Sequence, residues 1–258
     1  MEYLLKDKVY LVTGASRGIG ADTAKLLAEQ GAFVIINYLH SHEQAKAVED
    51  YCNQTAEGGG WCLSADMTDE QAIAQLVAAI QMEFGRLDGI VCNAAFSYRF
   101  DAQKRPYHWE IEWEEYERAE QQTVKPLHVL LQKALPLLTM QPDSRVVVLS
   151  SNLVKRPLVT YHTYNVGKAT LEAYVQNTAN ELARLGVRLN LVIPGMVYPT
   201  DATKDSQEEI KDAVINQTPL GRMAMPEDVA QTIFFFLSPY SRFLTGQKLY
   251  VDGGLSNQ

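Results

Sequence analysis

Ser151, Tyr164 and Lys168 are residues whose types and spacing suit one reaction, the reduction of a carbonyl. Reducing a ketone places a hydride on carbon and a proton on oxygen. A free tyrosine, with a pKa of about 10, is a poor proton donor at neutral pH. Lys168 stands one helical turn beyond Tyr164, so both side chains project from one helix face. An ammonium there lowers the tyrosine pKa and makes its proton transferable. Ser151, thirteen positions before Tyr164, can hydrogen-bond the substrate oxygen as charge develops on it.

A second constellation could bind an anion. The run Thr13-Gly14-Ala15-Ser16-Arg17-Gly18-Ile19-Gly20 follows one apolar strand pattern and opens a helical one. Gly14 suits a tight turn, Gly18 lets a phosphate approach the backbone, and Gly20 permits close helix packing. The unpaired N–H groups at the helix start then face the anion. In a dinucleotide site an acidic residue at the end of the second strand usually holds the adenosine ribose. Here that strand ends Ile36-Asn37-Tyr38-Leu39-His40, without Asp or Glu. Arg17 lies in the glycine turn instead, where a guanidinium pairs well with a 2′-phosphate. The pattern predicts NADPH rather than NADH.

The elements that must hold these groups alternate along the chain. Val9–Val12, Phe33–Asn37, Gly60–Leu63, Gly89–Cys92, Arg145–Ser150, Arg188–Ile193 and Lys248–Val251 read as strands. Gly18–Gln30, His42–Gln54, Asp69–Phe84, Trp113–Leu138, Tyr164–Leu185 and Pro226–Leu237 read as helices. Such alternation predicts an α/β fold: one doubly wound, Rossmann-like domain over residues 1–258, with about seven parallel strands and helices on both faces. Two segments interrupt the rhythm, Phe96–Glu112 and Tyr198–Leu220. Both follow strand ends, where ligand crevices form, and both are expected to wall a substrate pocket.

Bulk composition narrows the partners. The formal charge of −8 speaks against nucleic acid, which needs a basic surface. Apolar runs such as Phe33–Ile36 and Ile233–Leu237 fall far short of the roughly 20 residues that span a bilayer. Met1–Tyr10 lacks the apolar stretch of a secretory signal, so the expected location is the cytoplasm. Cys52, Cys62 and Cys92 show neither CxxC nor metal-ligand spacing and read as reduced, buried thiols.

With these motifs in order, the sequence resembles the short-chain dehydrogenase/reductase family over nearly its whole length. Thr13–Gly20 is similar to that family's TGxxxGxG turn, and Tyr164-Asn165-Val166-Gly167-Lys168 to its YxxxK. Ala65-Asp66-Met67-Thr68 resembles its adenine-binding turn, which implies cofactor contacts from Asp66 and Met67. Asn93-Ala94-Ala95 is similar to its NAG motif, and Pro194-Gly195 and Val251-Asp252-Gly253-Gly254 complete the set. The resemblance implies that Lys168 also holds the nicotinamide ribose. It implies further cofactor contacts from Ser16, Ile19, Asn37, Asn93, Ala94, Pro194, Gly195 and the backbone of Val197. It also implies a homotetramer or homodimer. The most similar members are 3-oxoacyl-thioester reductases, a likeness carried as well by Thr218–Gly254.

Several positions depart from that pattern. Thr123 stands where the family often has an asparagine supporting a water relay. Pro199 takes the place of a threonine that touches the nicotinamide, and Thr200 is shifted by one. Phe96–Tyr116 is longer than usual and rich in aromatic residues: Phe96, Tyr98, Phe100, Tyr107, Trp109 and Trp113. Tyr161 lies seven residues before Lys168, the spacing of enoyl-thioester reductases in the same family. The expected activity is therefore NADPH-dependent reduction of a free or carrier-bound ketone, with no metal. One alternative is enoyl reduction through Tyr161; the other is a dinucleotide-binding protein without turnover.

Overall fold

The computed structural model describes residues 3–94, 106–157, 161–203 and 206–257. Ala95, Phe96, Tyr98 and Phe100 lie outside these residues. The strands are β1 (Val9–Val12), β2 (Phe33–Tyr38), β3 (Gly59–Ser64), β4 (Gly89–Cys92), β5 (Ser144–Leu149), β6 (Val187–Pro194) and β7 (Lys248–Val251). They form one sheet in the order β3-β2-β1-β4-β5-β6-β7, every pair parallel. The helices are α1 (Gly18–Glu29), α2 (His42–Asn53), α3 (Glu70–Phe84), α4 (Trp113–Thr139), α5 (His162–Leu182), α6 (Glu208–Gln217) and α7 (Pro226–Leu237).

Burial explains why the strands read as near-continuous apolar runs. Leu11, Val12, Ile35, Ile36, Ile90, Val91, Val146 and Val147 are all shielded from solvent. A parallel sheet is covered on both faces, so successive residues meet a core in either direction. One core joins Leu11, Ile90 and Val146 to Leu76, Leu130 and Leu171, from α3, α4 and α5. The other joins Val12, Ile36 and Val147 to Leu27, Val48 and Ile233, from α1, α2 and α7. The result is the expected Rossmann-like α/β fold.

Chain order reverses between β1 and β4, which pair directly although β2 and β3 intervene in sequence. A crevice opens at such a switch point, beyond the carboxyl ends of the strands. Val12 pairs with Val91, Cys92 with Val148, Leu149 with Val192, and Pro194 with Val251. Their common register brings the ends of β1, β4, β5 and β6 to the same sheet edge.

The differences from expectation are local. Helix α5 begins at His162, two residues early, which places Tyr161 at its N-cap and Tyr164 within its first turn. Its last expected turn is a 3-10 helix, Ala183–Leu185. Tyr198–Leu220 is not wholly loop, since α6 occupies Glu208–Gln217. That helix sets Glu208 and Glu209 at its positive end, and Lys211 lies over the Tyr198 ring at 4.4 Å. Within Phe96–Glu112, the described part holds a 3-10 turn, His108–Glu110, with Tyr107 and Trp109 stacked at 4.9 Å.

Candidate active site

The glycine turn is built as its residues require. Gly14 and Gly18 adopt φ of +62° and +56°, a region that strains side chains. At Gly18 an added Cβ would meet only Thr200 Cγ2, at 3.9 Å, so the space above the backbone is open to a phosphate. At Gly20 it would lie 2.5 Å from the Gly14 carbonyl oxygen, which explains the close packing of α1. Ser16 and Ile19 are partly exposed along the turn. These features fit the pyrophosphate of a dinucleotide.

Two asparagines expected to contact cofactor also brace the glycine turn. Asn37 is buried: its Oδ1 accepts from Gly14 N at 3.3 Å and its Nδ2 donates to Ala65 O at 3.0 Å. One side chain thus ties the glycine turn to β2 and to the segment after β3. Asn93 Nδ2 donates to the carbonyls of Thr13 and Gly14, each at 3.0 Å. The Thr13 hydroxyl accepts from the N–H groups of Asn93 and Ala94, also at 3.0 Å. The ends of β1 and β4 are locked together across the switch point.

Around this turn sit the remaining dinucleotide candidates. Asp66 Oδ1 accepts from both the N–H and the hydroxyl of Thr68, which fixes the carboxylate beyond β3. Arg17 reaches the end of β2, where its Nη1 donates to Ser41 Oγ at 2.5 Å. The guanidinium also pairs with Asp201 at 2.5 Å, an acidic partner that no motif or spacing foretells. Beyond β6, Gly195 N donates to Val251 O, and a Cβ at Gly195 would lie 2.8 Å from Asp252 Cβ. The Val197 carbonyl accepts from the Thr203 hydroxyl at 2.6 Å and the Thr200 hydroxyl at 3.4 Å.

Two of the three reaction candidates, Tyr164 and Lys168, meet in one cavity beside the switch point. One cavity is lined by Thr13 and Ala94 on the cofactor side, Met67, Cys92, Gln122 and Thr123, and by Tyr164 and Lys168 from α5. Lys168 Nζ lies 6.0 Å from the Tyr164 ring centre and donates to the Leu149 carbonyl at 2.9 Å. Burial lowers the Lys168 pKa to about 8, with Glu172 opposing that shift. Burial raises the Cys92 thiol, so it remains protonated and is no nucleophile at neutral pH.

Ser151 follows β5 and is buried, its Oγ accepting from Leu153 N at 3.3 Å. It is not part of the cavity wall that holds Tyr164 and Lys168. Tyr161 is buried too and is likewise absent from that wall. Thr123 does line it, with its hydroxyl donating to Ala119 O at 2.6 Å. Sequence reasoning overlooked Glu172, although it follows Lys168 by one helical turn and that spacing was there to be read.

No described helix is long and apolar enough to cross a membrane. A family model described as enoyl-(acyl carrier protein) reductase matches residues 14–256. The 3-oxoacyl-(acyl-carrier-protein) reductase of Staphylococcus aureus (strain Mu50 / ATCC 700699) is 31% identical over 249 residues, covering 96% of this chain and 98% of the relative. The protein of that name from Vibrio cholerae serotype O1 is 32% identical over 251 residues, covering 97% and 98%. A solved 7α-hydroxysteroid dehydrogenase, in complex with NADH and 7-oxo glycochenodeoxycholic acid, superposes with a TM-score of 0.88 at 25% identity, covering 98% of this chain and 96% of that one. Family model, relatives and fold agree that this chain is an oxidoreductase with a nicotinamide dinucleotide cofactor and belongs to the short-chain dehydrogenase/reductase family.

Proposed function

We propose that this protein uses NADPH to reduce a ketone to a secondary alcohol, as a 3-oxoacyl-thioester reductase does, with Tyr164 as the acid/base. The observation that carries this reading is the shared cavity: Tyr164 and Lys168 face Thr13 and Ala94 across the switch point, whereas Tyr161 does not line it. The bound cofactor supplies the hydride. Tyr164 gives its phenolic proton to the carbonyl oxygen as negative charge builds there. Lys168 as an ammonium makes that proton easier to release and binds the nicotinamide ribose. Ser151 steadies the same oxygen by a hydrogen bond. Relatives named as 3-oxoacyl reductases support the reaction class.

Preference for NADPH rests on Arg17, which bonds Ser41 at the start of α2, and on the missing acid at the end of β2. In this reading residues 1–258 act as one cytoplasmic domain, in a homotetramer or homodimer, on a small or carrier-bound ketone. The deciding experiment follows NADPH oxidation with acetoacetyl and crotonyl thioesters for wild type, Tyr164→Phe and Tyr161→Phe. Turnover of the keto thioester should fall by roughly 10²- to 10⁴-fold in Tyr164→Phe and remain near wild type in Tyr161→Phe. Turnover of the crotonyl thioester that depends on Tyr161 would establish an enoyl reductase instead.

A further inference from the structure

Two consecutive residues at the end of β5 are held by α5, and Ser151 follows them. The Leu149 carbonyl accepts from Lys168 Nζ at 2.9 Å. Ser150 Oγ donates to Glu172 Oε1 at 2.6 Å. Ser151, next in the chain, is the candidate donor to the substrate oxygen. Lys168 and Glu172 stand one turn apart on α5, so both reach this strand end from the same helix face. Glu172 is only 4% exposed. Its second oxygen accepts from Lys248 Nζ at 2.7 Å, which brings in β7. A carboxylate this deep in a fold is tolerated only when its oxygens are paired, and here both are.

We propose that Glu172 is a positioning residue for the reaction: its carboxylate holds Lys168 as an ammonium and, through Ser150, fixes the seat of Ser151. The proposal rests on the reading of Tyr164 and Lys168 given above. Burial drives the Lys168 amine toward its neutral form, and Glu172 is the charge that acts against burial. Lys248 is already paired to Glu172. Tyr250, on the same strand, lies under Lys155 at 5.4 Å. Tyr164 and the protonated Cys92 thiol share the cavity with Lys168. Without Glu172, Lys168 keeps the cost of burial and loses the anion that opposes it.

The test is Glu172→Gln, read by two measurements. NMR titration of Lys168 Nζ in 15N-lysine-labelled protein, assigned with Lys168→Arg, needs no turnover. The pH profile of kcat/KM for ketone reduction reports the working site. Both the amine titration and the alkaline limb of the profile should move about one unit lower, a tenfold loss of proton affinity. Ser150→Ala keeps the carboxylate, so it should lower kcat several-fold while moving the titration little. If Glu172→Gln does not fold, Glu172→Gln with Lys248→Gln removes both partners and strands no charge; the downward shift should persist. An unmoved Lys168 titration in the folded variant overturns the proposal. A wild type that turns over no ketone overturns the reading of the reaction, while the titration still decides the role of Glu172.

Discussion

Arg17 has two neighbours that pull it in different directions. Ser41 draws it toward the ribose corner at the end of β2, and Asp201 neutralises it from the segment after β6. Both members of the ion pair are about half exposed, so the pair contributes no more than about 1 kcal/mol and opens readily. A 2′-phosphate carries more charge than one carboxylate and would displace Asp201 from the guanidinium. Arg17→Ala should therefore raise KM for NADPH by roughly 10- to 100-fold, the loss of about 1.5–3 kcal/mol from one charge-assisted contact. On the proposed reading, in which Arg17 meets the 2′-phosphate, KM for NADH should change less than about twofold. Asp201→Asn should act the other way, tightening NADPH a few-fold, and more so at low salt. Parallel changes for both cofactors would remove Arg17 from the phosphate site. Asp201 escaped the sequence reading because its partner lies at the opposite end of the chain and no spacing links them. That Tyr164 and Lys168 share one helix face was legible because helical periodicity fixes their separation.

The strands were readable at the level of elements because their cores are apolar on both faces, and β1, β4 and β7 occupy the spans their β-branched runs predict. Helix α6 was missed because it is short and lies inside a polar stretch that reads as one loop, although Ile210, Ala213 and Val214 carry a helical spacing. Thr123 was readable as a position but not as a contact. The structure seats it against α5, where a Cβ added at Gly167 would lie 3.0 Å from Thr123 Oγ1 and 3.3 Å from Ala119 O. Gly167 lies inside the Tyr164–Lys168 turn, so the approach of α4 to α5 sets how far that turn can sit from the cavity. Gly167→Ala gains helix propensity of up to about 1 kcal/mol but overpacks the contact by about 1–3 kcal/mol. The expected result is a lower kcat with modest destabilisation. Thr123→Ala in the same background should restore part of both losses. A double-mutant cycle in stability and kcat would then show coupling of about 0.5 kcal/mol or more. Simple additivity would mean that this contact does not set the position of the turn.

At the scale of the whole molecule, the same buried lysine is a cost to stability. The Lys168 amine titrates at about 8 in the folded chain against an ordinary 10.5. The unfolded chain therefore holds that proton more tightly, and folding must work against the charge. Because the folded pKa is the lower one, the penalty is complete below pH 8 and fades as pH rises toward 10.5. The shift corresponds to about 3 kcal/mol at neutral pH. Glu172 opposes the effect of burial on Lys168 and so keeps the penalty from being larger. Lys168→Met removes the charge and keeps most of the volume, at the loss of one hydrogen bond to the Leu149 carbonyl, about 1 kcal/mol. The variant should lose turnover and yet be more stable than wild type by about 2 kcal/mol at pH 7, raising Tm by several degrees. Denaturant unfolding at pH 7 and at pH 10 checks the sign, since the advantage should shrink once the folded wild-type amine has shed its proton and is no longer charged in the core. A gap that is absent at pH 7, or that does not change with pH, would show that Lys168 is not held charged against burial.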